Sequence, residues 1–204
     1  MALGFWGKKI GMTQVFDKDK VVPVTAIDIS GWLVTNVKTE ENDGYSAIQV
    51  GCLKNKFKES EFKKEWLKKP TGYFSVLREI KTDPASLEIG STVSFAKDVE
   101  PGSMVSVRSK SKGCGFSGAV KRHNFSGGRG SHGDTTGRRT GSIGFMTACG
   151  KVIKGKRMPG RMGGKQVTVK GLKLVDFKDN LILLKGAVPG KQGSLVYIQK
   201  SENE

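Results

Sequence analysis

The chain has 204 residues, with 35 Lys and Arg against 19 Asp and Glu, a formal net charge of +16 at pH 7. That length fits one or two domains, and no run of about 18 apolar residues is present to build a membrane-spanning helix. Lys8 and Lys9 come early with no long apolar stretch behind them, which argues against an ordinary secretory signal, and three widely spaced cysteines, Cys52, Cys114 and Cys149, suit neither a disulfide framework nor a zinc site. A reducing, intracellular compartment is expected.

The predicted elements are mostly strands. Val21–Ile29, Trp32–Val37 and Ala47–Gly51 are short apolar or alternating runs, punctuated by Ser30-Gly31 and Asn42-Asp43-Gly44. Residues 54–69 are the exception. There Phe57, Phe62, Trp66 and Leu67 fall on one helical face among Lys and Glu, and Pro70-Thr71-Gly72 closes the run. This insertion reads as an amphipathic helix covering the strands; the alternative is a separate protein- or RNA-binding subdomain. Thr92–Phe95 and Met104–Val107 are the next strands. Gln166–Val169, Lys173–Phe177, Leu181–Gly186 and Ser194–Ile198 resume the pattern later, with Asp179-Asn180 as a hairpin signal. Many short strands with frequent turns predict a mainly β fold, a small closed barrel built from residues 1–107 and 166–204.

Between these strands the composition changes. Residues 108–170 hold 15 Lys and Arg and one acid, Asp134, a net +14, which leaves +2 for all the rest. They also hold 15 of the 28 glycines and three aromatics, Phe116, Phe125 and Phe145. Self-repulsion and the entropy of ordering glycine oppose an apolar core there. A polyanion would neutralise the segment, because each base placed on a phosphate releases condensed counterions, and glycine lets backbone approach closely. The bland alternative is a solvated surface or flexible tail, but tails are usually terminal and this segment is internal. Residues 108–165 therefore read as an excursion from a folded body.

Gly113-Cys114-Gly115-Phe116-Ser117-Gly118 matches the dinucleotide fingerprint by letter. Its context argues both ways: a strand, Met104–Val107, precedes it, but Ser109–Lys112 intervenes, and residues 124–134, where a ribose-binding acid should end a second strand, are glycine-rich and not strand-like. A glycine turn carrying backbone against nucleic acid fits better. A nucleophile from Cys114 or Cys149 with His123 or His132 has no supporting spacing. The nucleic-acid pattern is stronger. Lys121-Arg122-His123-Asn124-Phe125 mixes cations with a stackable ring, and Arg129, His132, Arg138 and Arg139 follow among Gly and Ser. Lys151, Lys154, Lys156, Arg157, Arg161 and Lys165 continue it. Arg adds planar, bidentate recognition of phosphate and base. An irregular basic loop suits crevices between RNA helices, whereas a major-groove reader presents a helix or two-stranded ribbon.

These motifs resemble the large-subunit ribosomal protein L-three family in its bacterial or organellar form. Residues 7–16, GKKIGMTQVF, resemble its opening. Ser111-Lys112-Gly113, Gly115-Phe116, Gly118 and Lys121-Arg122-His123 resemble its central signature. Ser131-His132-Gly133, Gly141–Gly144 and Gly155–Gly164 resemble its extension, and Leu183–Gly190 its closing hairpin. The resemblance implies a translation-protein β-barrel with a long basic extension reaching through rRNA toward the peptidyl-transferase centre. It also implies an early role in large-subunit assembly and contacts with ribosomal proteins L-fourteen and L-nineteen. Cys114 stands where the family usually has a base. Arg161 stands where some bacterial members have a glutamine that becomes methylated, so that modification is not expected.

The candidate rRNA-binding residues are Lys8, Lys9, Lys110, Lys112, Lys121, Arg122, His123, Arg129, His132, Arg138, Arg139, Lys151, Lys154, Lys156, Arg157, Arg161 and Lys165. The expected protein is a structural and assembly component of the large subunit, located in a bacterial or organellar ribosome. No catalysis, cofactor, metal, membrane or homo-oligomer is expected. Two rival readings are an extra-ribosomal RNA chaperone and an RNA- or nucleotide-acting enzyme using Cys114, Cys149 or His123.

Overall fold

The structure, a computed structural model, describes residues 4–17, 20–57, 60, 62–81, 88–93, 100–148, 150–178 and 180–200. The chain divides into two compact units, residues 1–110 with 166–204, and residues 111–165. The described strands in chain order are β1 (Gly4–Asp17), β2 (Lys20–Asp28), β3 (Trp32–Lys38), β4 (Ala47–Leu53), β5 (Phe74–Ile80), β6 (Met104–Lys110), β7 (Gly115–Ser117), β8 (Gly160–Met162), β9 (Gln166–Lys178), β10 (Leu181–Lys185) and β11 (Leu195–Lys200).

In the first unit, six strands pair antiparallel in the order β1-β11-β6-β9-β10-β2, and β2 pairs back onto β1. Each has a hydrogen-bonded neighbour on both sides. Period-two patterning explains what faces inward: Val105 and Val107, Ile182 and Leu184, and Val196 and Ile198 are all fully buried. Phe5, Ile27 and Leu174 complete this part of the core. A second sheet, β3-β4-β5, adds Trp32, Val34, Val50, Cys52 and Ile80 to the same core.

β1 is a strand that hydrophobic patterning did not disclose, because glycines interrupt it. Gly7 has a structural reason: a Cβ there would lie 2.5 Å from the Ile27 side chain. Gly4 leaves room for the ring of Tyr197 in the same way. A register shift between Lys9 and Gly11 marks a bulge in its pairing with β2. The two strands expected at 166–169 and 173–177 are one, β9, which continues through Gly171 at φ +71°. Its first part pairs with β6 and its end with β10. Thr92 makes an isolated bridge to Leu33, while Ser94 and Phe95 fall outside the described residues.

The amphipathic helix expected over residues 54–69 does not form as one element. The described residues there make two 3₁₀ turns, Asn55–Phe57 and Lys64–Lys68. Pro70, expected to close a helix, opens a short one, α2 (Pro70–Tyr73), where its missing N–H costs nothing; a similar single turn, α1 (Glu40–Asp43), precedes β4. The aromatic residues still converge. Trp66 is stacked on Tyr73 at 5.3 Å between ring centroids, with Phe57 and Phe62 at 5.8 and 6.1 Å from it. With Leu53 and Phe74 they form a second cluster on the three-stranded sheet. Tertiary packing of rings onto β4 and β5 overrides helical periodicity here.

Candidate nucleic-acid interface

Residues 111–165 are organised around a short ribbon. β7 and β8 pair antiparallel, with Gly115 opposite Met162 and Ser117 opposite Gly160. Ser111 N–H donates to Lys165 O at 2.8 Å and Cys114 N–H to Met162 O at 2.9 Å, continuing the closure. Gly163, at φ +71°, is required at this crossing: a Cβ would collide with the Lys112 carbonyl. The Gly113–Gly118 stretch is thus one edge of a two-stranded ribbon, and among the described residues no parallel βαβ unit surrounds it.

The helix α3 (Ala119–His123) follows β7 and ends on Asn124, whose φ of 58° is the left-handed cap conformation. Its last turn is basic, the sign that suits a helix C-terminus. The Arg122 guanidinium donates to Met158 O at 2.6 Å. His123 Nε2 lies 3.0 Å from the same oxygen, and since a carbonyl only accepts, this nitrogen carries the proton. Both side chains are half-buried and tie α3 to the segment entering β8.

The single acid of this unit is used locally. Asp134 accepts backbone N–H groups from Arg129 at 2.5 Å and Thr136 at 2.8 Å. The Thr136 N–H, with that of Arg129, holds its carboxyl below the usual aspartate range. Gly128 N–H to Gly137 O, at 2.6 Å, closes the same loop. Asp134 therefore organises backbone and neutralises no guanidinium. Among the described residues the ion pairs are Lys38–Glu79 and Asp176–Lys178, both in the first unit. The Lys and Arg side chains of residues 111–165 have no carboxylate partner there.

Exposure matches that charge. Among the described residues of this unit only Ser117 and Ala119 are buried, and Phe116 and Met146 are 80% and 94% exposed. Lys112, Lys121, Arg129, His132, Arg138, Arg139, Lys151, Lys154, Lys156, Arg157, Arg161 and Lys165 are all exposed. Lys110 is exposed at the end of β6. Lys8 is half-buried, its ammonium 3.1 Å from Cys52 Sγ. Lys9 is not presented to a ligand: it is buried, and its ammonium donates to Val188 O at 2.7 Å and Gly190 O at 3.3 Å. Successive strand residues point to opposite faces, which separates the two lysines.

An open cleft of about 460 Å³ lies within this unit, lined by His123, Phe125, Thr136, Arg139, Gly141 and Arg157, among others. The His123 and Phe125 rings are 6.1 Å apart, tilted by 43°. A second cleft of about 550 Å³ shares Arg139 and Thr136 and reaches Arg138 and Pro159. Phe125, Thr136 and Gly141 were outside the candidate set; only the ring of Phe125 carried a signal, as a stackable side chain among cations. The residue anchoring α3, Met158, acts through its carbonyl and left none. Cys114 is exposed, Cys52 is buried in the first unit, and Cys149 falls outside the described residues.

The family model described as Ribosomal protein L3 matches residues 76–180, a span that takes in β6, β9 and the whole of the basic unit between them. The chain is 43% identical to large ribosomal subunit protein uL3c of Gracilaria tenuistipitata var. liui, over 97% of this chain and 99% of that protein. It is 44% identical to uL3 of Prochlorococcus marinus strain MIT 9515, over 98% and 94%. It is 43% identical to uL3 of Trichlorobacter lovleyi, over 98% of each. A match of this length and identity, across both the strand-built unit and the basic one, places the chain in the ribosomal protein L3 family.

Proposed function

We propose that this protein is a structural, non-catalytic constituent of the large ribosomal subunit, bound to large-subunit rRNA chiefly through residues 111–165. The carrying observation is the exposed cation set of that unit, with its one acid committed to backbone N–H groups. RNA supplies the missing counter-charge. The relatives are named as large-subunit proteins, which supports the same site of action. The six-strand ring is read as a translation-protein-type closed barrel that anchors, and residues 111–165 as the extension that penetrates rRNA toward the peptidyl-transferase centre. L-fourteen and L-nineteen are the proposed protein neighbours, and binding early in assembly is the proposed timing. The ribosome of a bacterium or an organelle is the proposed location.

The proposed residue set omits Lys9, whose buried ammonium donates to Val188 O and Gly190 O, and gives Arg122 and His123 a first role in fixing α3 to Met158. A salt titration tests the reading. Affinity for large-subunit rRNA fragments should fall steeply as salt rises, with a slope of roughly −0.7 to −0.9 per phosphate contacted. Affinity that ignores ionic strength would refute the electrostatic interface. Sedimentation from a cell extract should place the protein in large-subunit particles; recovery in light fractions alone would favour the free RNA chaperone.

A further inference from the structure

We propose that the cleft between α3 and the 136–141 segment receives one unstacked RNA nucleotide, its base against Phe125 and His123 and its phosphate between Arg139 and Arg157. This rests on the rRNA-binding reading and goes beyond it. Neutralising a uniform duplex needs only exposed cations on a surface. This unit also carries an open concavity, which a uniform duplex backbone does not require.

The cleft's volume, about 460 Å³, is within the range of small-ligand sites. Its walls divide by chemistry. Phe125 supplies a half-buried apolar face, and the tilted His123 ring stands beside it. His123 is held in place through Nε2 on Met158 O, which leaves Nδ1 as its remaining polar atom. Arg139 and Arg157 are exposed and without a carboxylate partner among the described residues, and guanidinium matches a phosphate bidentately. Thr136 and Gly141 complete the rim. The loop bearing Thr136 is pre-shaped by Asp134, so part of the ordering is done before a ligand arrives. An aromatic face and two guanidinium groups lining one cleft form an arrangement suited to an unpaired base and its own phosphate.

The test uses the full chain and two synthetic RNA hairpins of equal length, one fully paired and one with a single bulged 2-aminopurine. At fixed salt the bulged hairpin should bind about 10-fold tighter, the order expected of one base–aromatic stack, and its fluorescence should be quenched. Phe125→Ala and Arg157→Ala should each reduce that preference toward unity, and Phe125→Tyr should keep it. Lys165→Ala, outside the cleft, should weaken both hairpins equally. Equal affinity for the two hairpins, with normal salt dependence, would overturn the nucleotide site while leaving rRNA binding intact. A preference that survives Phe125→Ala in a variant with an unchanged circular dichroism spectrum would overturn it as well. Binding of neither hairpin would overturn both the site and the reading beneath it.

Discussion

Two charged residues show how one letter takes different work from its surroundings. Lys8 and Lys9 are identical in sequence and adjacent, and both stand among the candidate rRNA-binding residues. Their positions on a pleated strand separate them, and Lys9 closes the β10–β11 connection by donating to Val188 and Gly190. Hydrogen bonds from a charged donor contribute about 1.5–3 kcal/mol each, so Lys9→Met should lower the urea midpoint by the equivalent of roughly 2 kcal/mol or more. Its salt slope for RNA should stay unchanged. Arg157→Ala should do the reverse, reducing the slope by about one with stability unaltered. Asp134 gives a pH signature. Its folded carboxyl is held below the unfolded value by the N–H groups of Thr136 and Arg129. The loop's stabilisation is therefore fully present above the ordinary aspartate value of about 3.9 and is lost as pH falls through the depressed one. Amide chemical shifts of Gly128, Arg129 and Thr136 should hold steady down to about pH 4 and move together below it; Asp134→Asn should remove that transition.

At the scale of elements, what was legible followed from side-chain alternation. Val105 and Val107, or Ile182 and Leu184, announce strands because one face of each is buried. β1 was silent because its glycines serve the neighbours' side chains, Ile27 and Tyr197, which lie far along the chain. The single strand β9 was expected as two runs, 166–169 and 173–177, because residues 170–172 span a bulge, where the register against Val105 and Val107 of β6 shifts and Gly171 takes φ +71°. The 54–69 segment failed for another reason. Its rings have helical spacing, but a ring's preferred neighbours are other rings, and Tyr73 and Phe74 of the next elements supplied them. Trp66 sits at the centre of that cluster, 5% exposed. Trp66→Ala should cost about 3–5 kcal/mol of stability in chemical denaturation, as usual for a large buried aromatic, whereas Leu67, half-buried on the same turn, should tolerate Ala with a smaller loss. Equal effects would show that the cluster is not the packing centre of this insertion.

At the scale of the whole chain, apolar burial and charge are segregated. The first unit holds nearly all the buried hydrophobic side chains; residues 111–165 contribute only Ala119 to that class among the described residues. Charge partition was legible from composition, because it needs no knowledge of folded geometry. The cleft was not, because His123, Arg139 and Arg157 meet only after the loop has folded. A unit held by backbone hydrogen bonds, with almost no apolar core, has little stability of its own. Its amides should exchange quickly in the free protein and slow markedly on RNA, while those of β6, β10 and β11 stay protected throughout. Deleting residues 124–156 separates the two units' energetics more directly. The deletion keeps β7, α3, Met158 and β8, and so the anchors at Arg122 and His123. It removes six exposed or loop-borne bases, Arg129, Arg138, Arg139, Lys151, Lys154 and Lys156, together with Asp134. None of the large buried side chains of the first unit is touched, so the thermal transition should move by no more than about 2 °C, the low end of the roughly 2–4 °C that 1 kcal/mol shifts a domain of about 150 residues. The salt slope should fall by roughly one for each phosphate that is no longer neutralised. On the proposed rRNA contacts of these bases, assembly into large-subunit particles should be impaired. Loss of the thermal transition itself would mean that the basic loop stabilises the strand-built unit, and that the segregation of charge from core does not extend to folding.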